Sequence, residues 1–226
     1  MNRFSRKSFF SLLWPLLFGL SACQERAASF KDVHELSKWM NNPKNGLVKT
    51  KSISGIKLTV RYLPAEYVAY QELKDNENTS DAAKDSVLAL YKNNLTFLFS
   101  IGPDESYSSE IDIMRLGIGN YDEYSERALK LNFGMDEYVI LKMGERKYQP
   151  VLSTLENVYG LSKQRNIYFV FAPEEPEADF RKNEKLDFVF DDEIFNTGIS
   201  HFIFLSENIK KIPSLSFFAE RGASHE

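Results

Sequence analysis

An α+β fold built on an antiparallel sheet or sandwich, with helices mainly in the N-terminal half and strands in the C-terminal half, is what this sequence predicts. Three observations carry that expectation. Up to residue 133, apolar residues recur several times at spacings of three and four, the period of a half-buried helix. Beyond residue 137, β-branched and aromatic residues gather in short runs between turn signals, the pattern of strands. With 18 Phe and 11 Tyr among 226 residues, 43% of them apolar, the chain can bury a substantial core, which excludes disorder, collagen-like repeats and a disulfide-stapled miniprotein.

The elements follow in order. Ser29 is placed to cap a helix over residues 29–41, with Phe30, Val33, Leu36 and Met40 on one face and Pro43 beyond its end. Residues 47–53 and 56–63 flank Ser54-Gly55. Ile56, Leu58, Val60 and Tyr62 alternate with Lys57, Thr59 and Arg61, which predicts a hairpin with one wet face. Pro64 stops the second strand, and a short helix over 65–73 follows from Tyr67, Tyr70 and Leu73. Residues 74–80 are polar and read as a loop, 81–91 as a helix, and 95–101 as a strand ended by Gly102-Pro103. A helix over 121–133 rests on Tyr121, Tyr124, Ala128 and Leu131. Strands are expected over 137–143, 149–158, 166–171, 185–190 and 201–205, with the charged, proline-bearing stretch 172–184 as an exposed connection.

The first residues follow a different logic. Arg3, Arg6 and Lys7 precede an apolar run over 8–20, the basic and apolar regions of an export signal. That run is shorter than the roughly 20 residues needed to cross about 30 Å of hydrocarbon, and Pro15 interrupts it, so a permanent transmembrane helix is disfavoured. At its end stands Leu20-Ser21-Ala22-Cys23, which resembles the lipobox of bacterial lipoproteins.

That resemblance implies cleavage between Ala22 and Cys23, a diacylglyceryl thioether on Cys23 and acylation of the new amino terminus. At about 0.8 kcal/mol per buried CH₂, several acyl chains make release from the bilayer negligible. Gln24 stands where Asp commonly signals retention in the inner membrane of diderm bacteria, so the resemblance implies the outer membrane. Glu25 alone is acidic before Arg26, Ala27 and Ala28, which favours the periplasmic face over the cell surface. The organisation expected is therefore a signal peptide over 1–22, a lipidated cysteine and tether over 23–29, and one α+β domain over 30–226. Cys23 is the single cysteine of the chain, so once acylated it leaves no thiol to form or mispair a disulfide.

Charge narrows the partners. The chain carries a net −4, made more acidic by loss of the basic leader, and outside its first seven residues has no basic stretch interleaved with aromatics, so nucleic acid is not an expected partner. The histidines are His34, His201 and His225, too few and too scattered to predict a zinc site; neither a metal nor a cofactor is implied. Gly117-Ile-Gly119 lacks the third glycine of a dinucleotide fingerprint and reads as a turn.

Two constellations are weighed further. Asp191, Asp192 and Glu193 close the 185–190 strand and are the candidate catalytic acids, either as paired carboxylates or as oxygen ligands for calcium. Adjacent strand residues point apart, so a turn is the plainer expectation. Tyr62, Tyr67, Tyr70, Phe97 and Phe99 are suited to stack on sugar rings, but their strand and helix spacing places them in the core instead.

The function expected is a lipid-anchored outer-membrane component that binds or scaffolds, its partners the membrane and an envelope protein or glycan. The alternative is a membrane-tethered hydrolase of glycan or peptidoglycan using those acids.

Overall fold

The computed structural model describes residues 29–76, 79–107, 111–157, 162–172 and 183–219. The lipobox and cleavage site, the 173–182 part of the charged connection, and His225 lie outside the described residues.

The chain enters through a two-residue strand, β1 (Ser29–Phe30), followed by helix α1 (Val33–Asn41). The cap is Asp32, whose side chain accepts the His34 N–H at 2.8 Å, and not Ser29, which is extended as part of a strand. Leu36 and Met40 form the buried face of α1, one turn apart.

The hairpin β2 (Val48–Ile53) and β3 (Ile56–Leu63) turns on Ser54 and Gly55, both at positive φ (52° and 82°). Two successive left-handed residues are the requirement of the turn that matches strand twist, and glycine meets it without strain. Helices α2 (Ala65–Leu73) and α3 (Asp81–Lys92) follow, the second capped by Ser80 accepting from Ala83 N–H. Strand β4 (Leu95–Pro103) leads on to α4 (Tyr121–Phe133), where Asn120 accepts the Glu123 N–H and Glu123 accepts back from Gly119 N–H and the Asn120 amide.

The rest is strand-rich: β5 (Val139–Met143), β6 (Arg146–Tyr148), β7 (Leu152–Leu155), β8 (Arg165–Phe171), β9 (Lys185–Asp192) and β10 (Gly198–Leu205). Two expected strands are shorter than the sequence suggests. Met135–Tyr138 is a 3-10 turn ahead of β5, and β7 keeps only four residues of the 149–158 run, starting beyond Pro150, which has no N–H for a ladder. Helix α5 (Ser206–Lys210), strand β11 (Ser214–Leu215) and helix α6 (Ser216–Ala219) close the described chain.

The strands make two antiparallel sheets, of order β2-β3-β4-β8-β7 and β10-β9-β5-β6. They pack face to face through phenylalanines. Phe97 and Phe99 of β4, with Phe169 and Phe171 of β8, meet Phe188 and Phe190 of β9 at ring-centroid distances from 4.8 Å (Phe99–Phe190) to 6.2 Å (Phe171–Phe188). Phe204 of β10 lies 5.3 Å from Phe97. All seven rings are buried in one cluster with Leu58, Val60, Val139 and Leu141, so the fold is α+β with a sandwich at its centre. Phe97, Phe99 and Tyr62 are therefore core, as their spacing implies, while Tyr67 and Tyr70 are half-buried on α2.

The two ends of the domain meet. Parallel pairing of β1 with β11 sets Ser29 beside Ser214 and Phe30 beside Leu215, and the Glu66 carboxylate of α2 accepts the Leu215 N–H. Burial pushes the Glu66 carboxyl above its ordinary value against the pull of that hydrogen bond and of Lys92.

Candidate interaction face on the four-stranded sheet

Alternation along β9 and β10 divides their side chains between two faces. Leu186, Phe188, Phe190 and Asp192, with Ser200, Phe202 and Phe204, turn inward and are buried. Asp187, Val189 and Asp191, with Ile199, His201, Ile203 and Leu205, turn outward. Three apolar residues of β10 are exposed on this outer face: Ile199 is 61% exposed, Ile203 45% and Leu205 38%. Val189 lies centrally, between Ile140 of β5 and His201 of β10 in the same row, and is 4% exposed.

One polar pair crosses the face. His201 Nδ1 lies 2.8 Å from Asp187 Oδ2, a diagonal contact between neighbouring strands, since His201 is opposite Val189 and Asp187 opposite Ile203. The second Asp187 oxygen is buried without a hydrogen-bond partner. The pair lies among the exposed apolar residues of β10, with the charged Lys185 and Asp191 of β9 on the same face.

The three acids marked by the sequence are not brought together. Asp192 points inward, 4% exposed, and its carboxylate accepts the N–H groups of Ile194 and Phe195 at 2.9 Å, that of Thr197 at 3.1 Å, and the Thr197 hydroxyl. It therefore builds the β9–β10 turn. Asp191 turns to the opposite face and is exposed, and Glu193 is exposed in the turn. Arg127 of α4 braces this region: its guanidinium lies 4.6 Å over the Phe195 ring and donates to the carbonyls of Ile113 (3.0 Å) and Leu116 (2.7 Å). Burial lowers the Arg127 pKa, and the charges of Asp192 and Glu123 oppose that shift. Among the described residues, no group of three or more His, Cys, Asp or Glu is arranged to hold a metal ion.

His34 is exposed on α1 between Asp32 and Glu35, and Asp32 accepts its backbone N–H as the helix cap. The residues missing from the sequence expectation are Ile199, Ile203 and Asp187. The β10 run is apolar on both faces, so period-2 alternation does not say which face is open.

Comparison with known proteins adds little. No protein-family model matches the chain, and no curated protein matches it. A solved structure from Burkholderia pseudomallei, described as a novel protein of unknown function, is similar over 79% of this chain and 88% of its own, with a TM-score of 0.36 and 11% identity. No helix among the described residues is long and apolar enough to cross a membrane.

Proposed function

We propose that the protein is a lipid-anchored component of the outer membrane, facing the periplasm, that works by binding a partner in the envelope rather than by catalysis. The observation that carries the binding half is the exposed row Ile199, Ile203 and Leu205, which stands on rigid paired strands. Apolar surface gathered on one face of a sheet is a common mark of a protein partner. The anchoring half rests on the Leu20-Ser21-Ala22-Cys23 motif behind its basic and apolar regions. Between Cys23 and β1 at Ser29 the chain can span at most about 20 Å. The β1–β11 end of the domain, where both termini emerge, is accordingly the end held to the bilayer.

Replacing Cys23 with Ala and fractionating cells tests the anchor. The variant is expected to leave the outer-membrane fraction, and its retention there would overturn lipid anchoring. A photo-crosslinking residue at Ile199 tests the face, with one at Lys57, on the outer face of the other sheet, as control. Adducts are expected at Ile199 and not at Lys57; equal adducts, or none at either, would remove this face from the proposal.

A further inference from the structure

The four strands that end the two sheets are β2, β7, β6 and β10. An edge strand leaves backbone donors and acceptors unpaired, and proteins blunt such edges with charge, proline or shortness. Three of the four follow that rule. Strand β2 carries Lys49 and Lys51, β6 is three residues with Arg146 and Lys147, and β7 is four residues shortly after Pro150. Strand β10 does not. It runs for eight residues, Gly-Ile-Ser-His-Phe-Ile-Phe-Leu, with no Lys, Arg, Asp, Glu or Pro.

Its free groups can be assigned. The ladder with β9 continues to Ser206, whose N–H donates to the Glu184 carbonyl at 2.9 Å. Hydrogen-bonded and non-bonded pairs alternate in an antiparallel ladder. Ser200, Phe202 and Phe204 therefore bond to β9, while Ile199, His201, Ile203 and Leu205 turn their N–H and C=O groups to the open edge. Among the described residues no turn, loop or cap backbone group accepts from or donates to Ile199, His201 or Ile203, while Leu205 is also the N-cap of α5. The same four residues carry the side chains of the outer face, so unpaired backbone and exposed apolar surface coincide on one strand.

We infer that this edge pairs with the β10 of a second copy of the chain, antiparallel across a two-fold axis at Phe202. The inference rests on the reading of this face as an interaction surface. In that register Ile199 lies opposite the partner's Leu205 and His201 opposite the partner's Ile203. The outward N–H and C=O groups of Ile199, His201 and Ile203 are then paired, no Lys, Arg, Asp or Glu stands on either strand, and the nearest cation is Lys51 of β2, 5.5 Å over the Phe202 ring. On β9, Asp191 neighbours Ile199 and Lys185 neighbours Leu205, so each outermost row of the joined sheet runs from Asp191 to the partner's Lys185, without like charges at its two ends. Self-pairing brings the exposed apolar residues of the two β10 strands together and presents them to the envelope partner in duplicate.

Disulfide trapping of the full-length chain in intact cells tests the register. The Cα atoms of a hydrogen-bonded antiparallel pair lie about 5.5 Å apart, within disulfide range. I199C/L205C is expected to give a band of twice the monomer mass on mild oxidation. The unmodified chain, whose single cysteine is Cys23, and I199C/I203C, which matches a register shifted by two, are expected to stay monomeric. Absence of the I199C/L205C dimer, or equal trapping by the shifted pair, overturns the proposal.

In detergent, the unmodified full-length chain is expected to have dimer mass and I203K monomer mass, with the same circular-dichroism spectrum. Monomer mass for both overturns self-pairing. If Ile199 photo-crosslinks to a different protein while no disulfide dimer forms, the interaction face stands and self-pairing fails. Dimer formation by a mislocalised Cys23→Ala variant separates self-pairing from anchoring.

Discussion

The two sheets share one interior and treat their outer faces in opposite ways. On the five-stranded sheet the outward residues Leu63, Thr96 and Leu98 are buried, and Tyr168 is half-buried near Tyr67 of α2, with burial raising its hydroxyl pKa. Alongside them runs a polar row across four strands. Thr50 and Thr59 hydroxyls lie 3.1 Å apart, Ser100 donates to Asn166 at 2.7 Å, and Asn166 donates to Glu156 at 2.6 Å. On the four-stranded sheet no comparable polar row is seen among the described residues, and the outward residue buried is the central Val189. Ile199, Ile203 and Leu205 are exposed beside the His201–Asp187 pair and the charged Asp191 and Lys185. The difference teaches that the apolar outer face is not a consequence of strand composition in general, because the same fold hydrates or covers its other face.

The comparison breaks most severely if the shared interior is damaged. Phe188 contacts Phe97, Phe99, Phe169, Phe171 and Phe202 from both sheets. Phe188→Ala is expected to cost about 3–5 kcal/mol, the usual range for a large buried ring replaced by a methyl group. Chemical denaturation should show both sheets failing in one transition. A loss below about 1 kcal/mol would mean that the two sheets are not mutually dependent.

A smaller loss confined to the four-stranded side is expected from Asp192→Ala. It removes the acceptor for three backbone N–H groups in the β9–β10 turn, and each buried donor left unpaired costs about 1–3 kcal/mol. Water reaching the opened turn recovers part of that, so about 2–3 kcal/mol in total is expected by denaturation. Amide exchange should rise at Ile194, Phe195 and Thr197 and stay unchanged along β2 and β3. If Asp192 were instead a catalytic acid, stability would be little altered.

Much of this was legible before the structure, where short-range chemistry decides. The Ser54-Gly55 turn, the stop at Pro64 and the helix over Tyr121–Phe133 each depend on residues a few positions apart. Ser29 misled because Ser and Asp both cap helices, and the choice of Asp32 depends on β1 pairing with residues 214–215 at the far end of the chain. The interaction face was hidden for another reason. Along β10 the inward Phe202 and Phe204 and the outward Ile199 and Ile203 are equally apolar, so alternation names two faces without saying which is covered. The buried turn role of Asp192 depends on Thr197, five residues away, and on the β9–β10 register, and its sequence signal is no more than an acid ending a strand.

The smallest effect discriminates best between the two outer faces. Asn166 and Ile203 both point outward from a strand, but Asn166 links Ser100 to Glu156 while Ile203 has no cover. Asn166→Ala is expected to cost about 1 kcal/mol, the net worth of a part-buried hydrogen-bonded side chain. Ile203→Ser is expected to stay within about 0.5 kcal/mol, as for exposed positions remote from structural features. Paired denaturation curves on the same preparation check the ordering. A tolerated change at Ile203 means that its apolar side chain does not serve the fold of the isolated chain, as the proposed contact with another molecule requires. A loss of 2 kcal/mol or more there would instead make Ile203 part of the core and erase the contrast between the two faces.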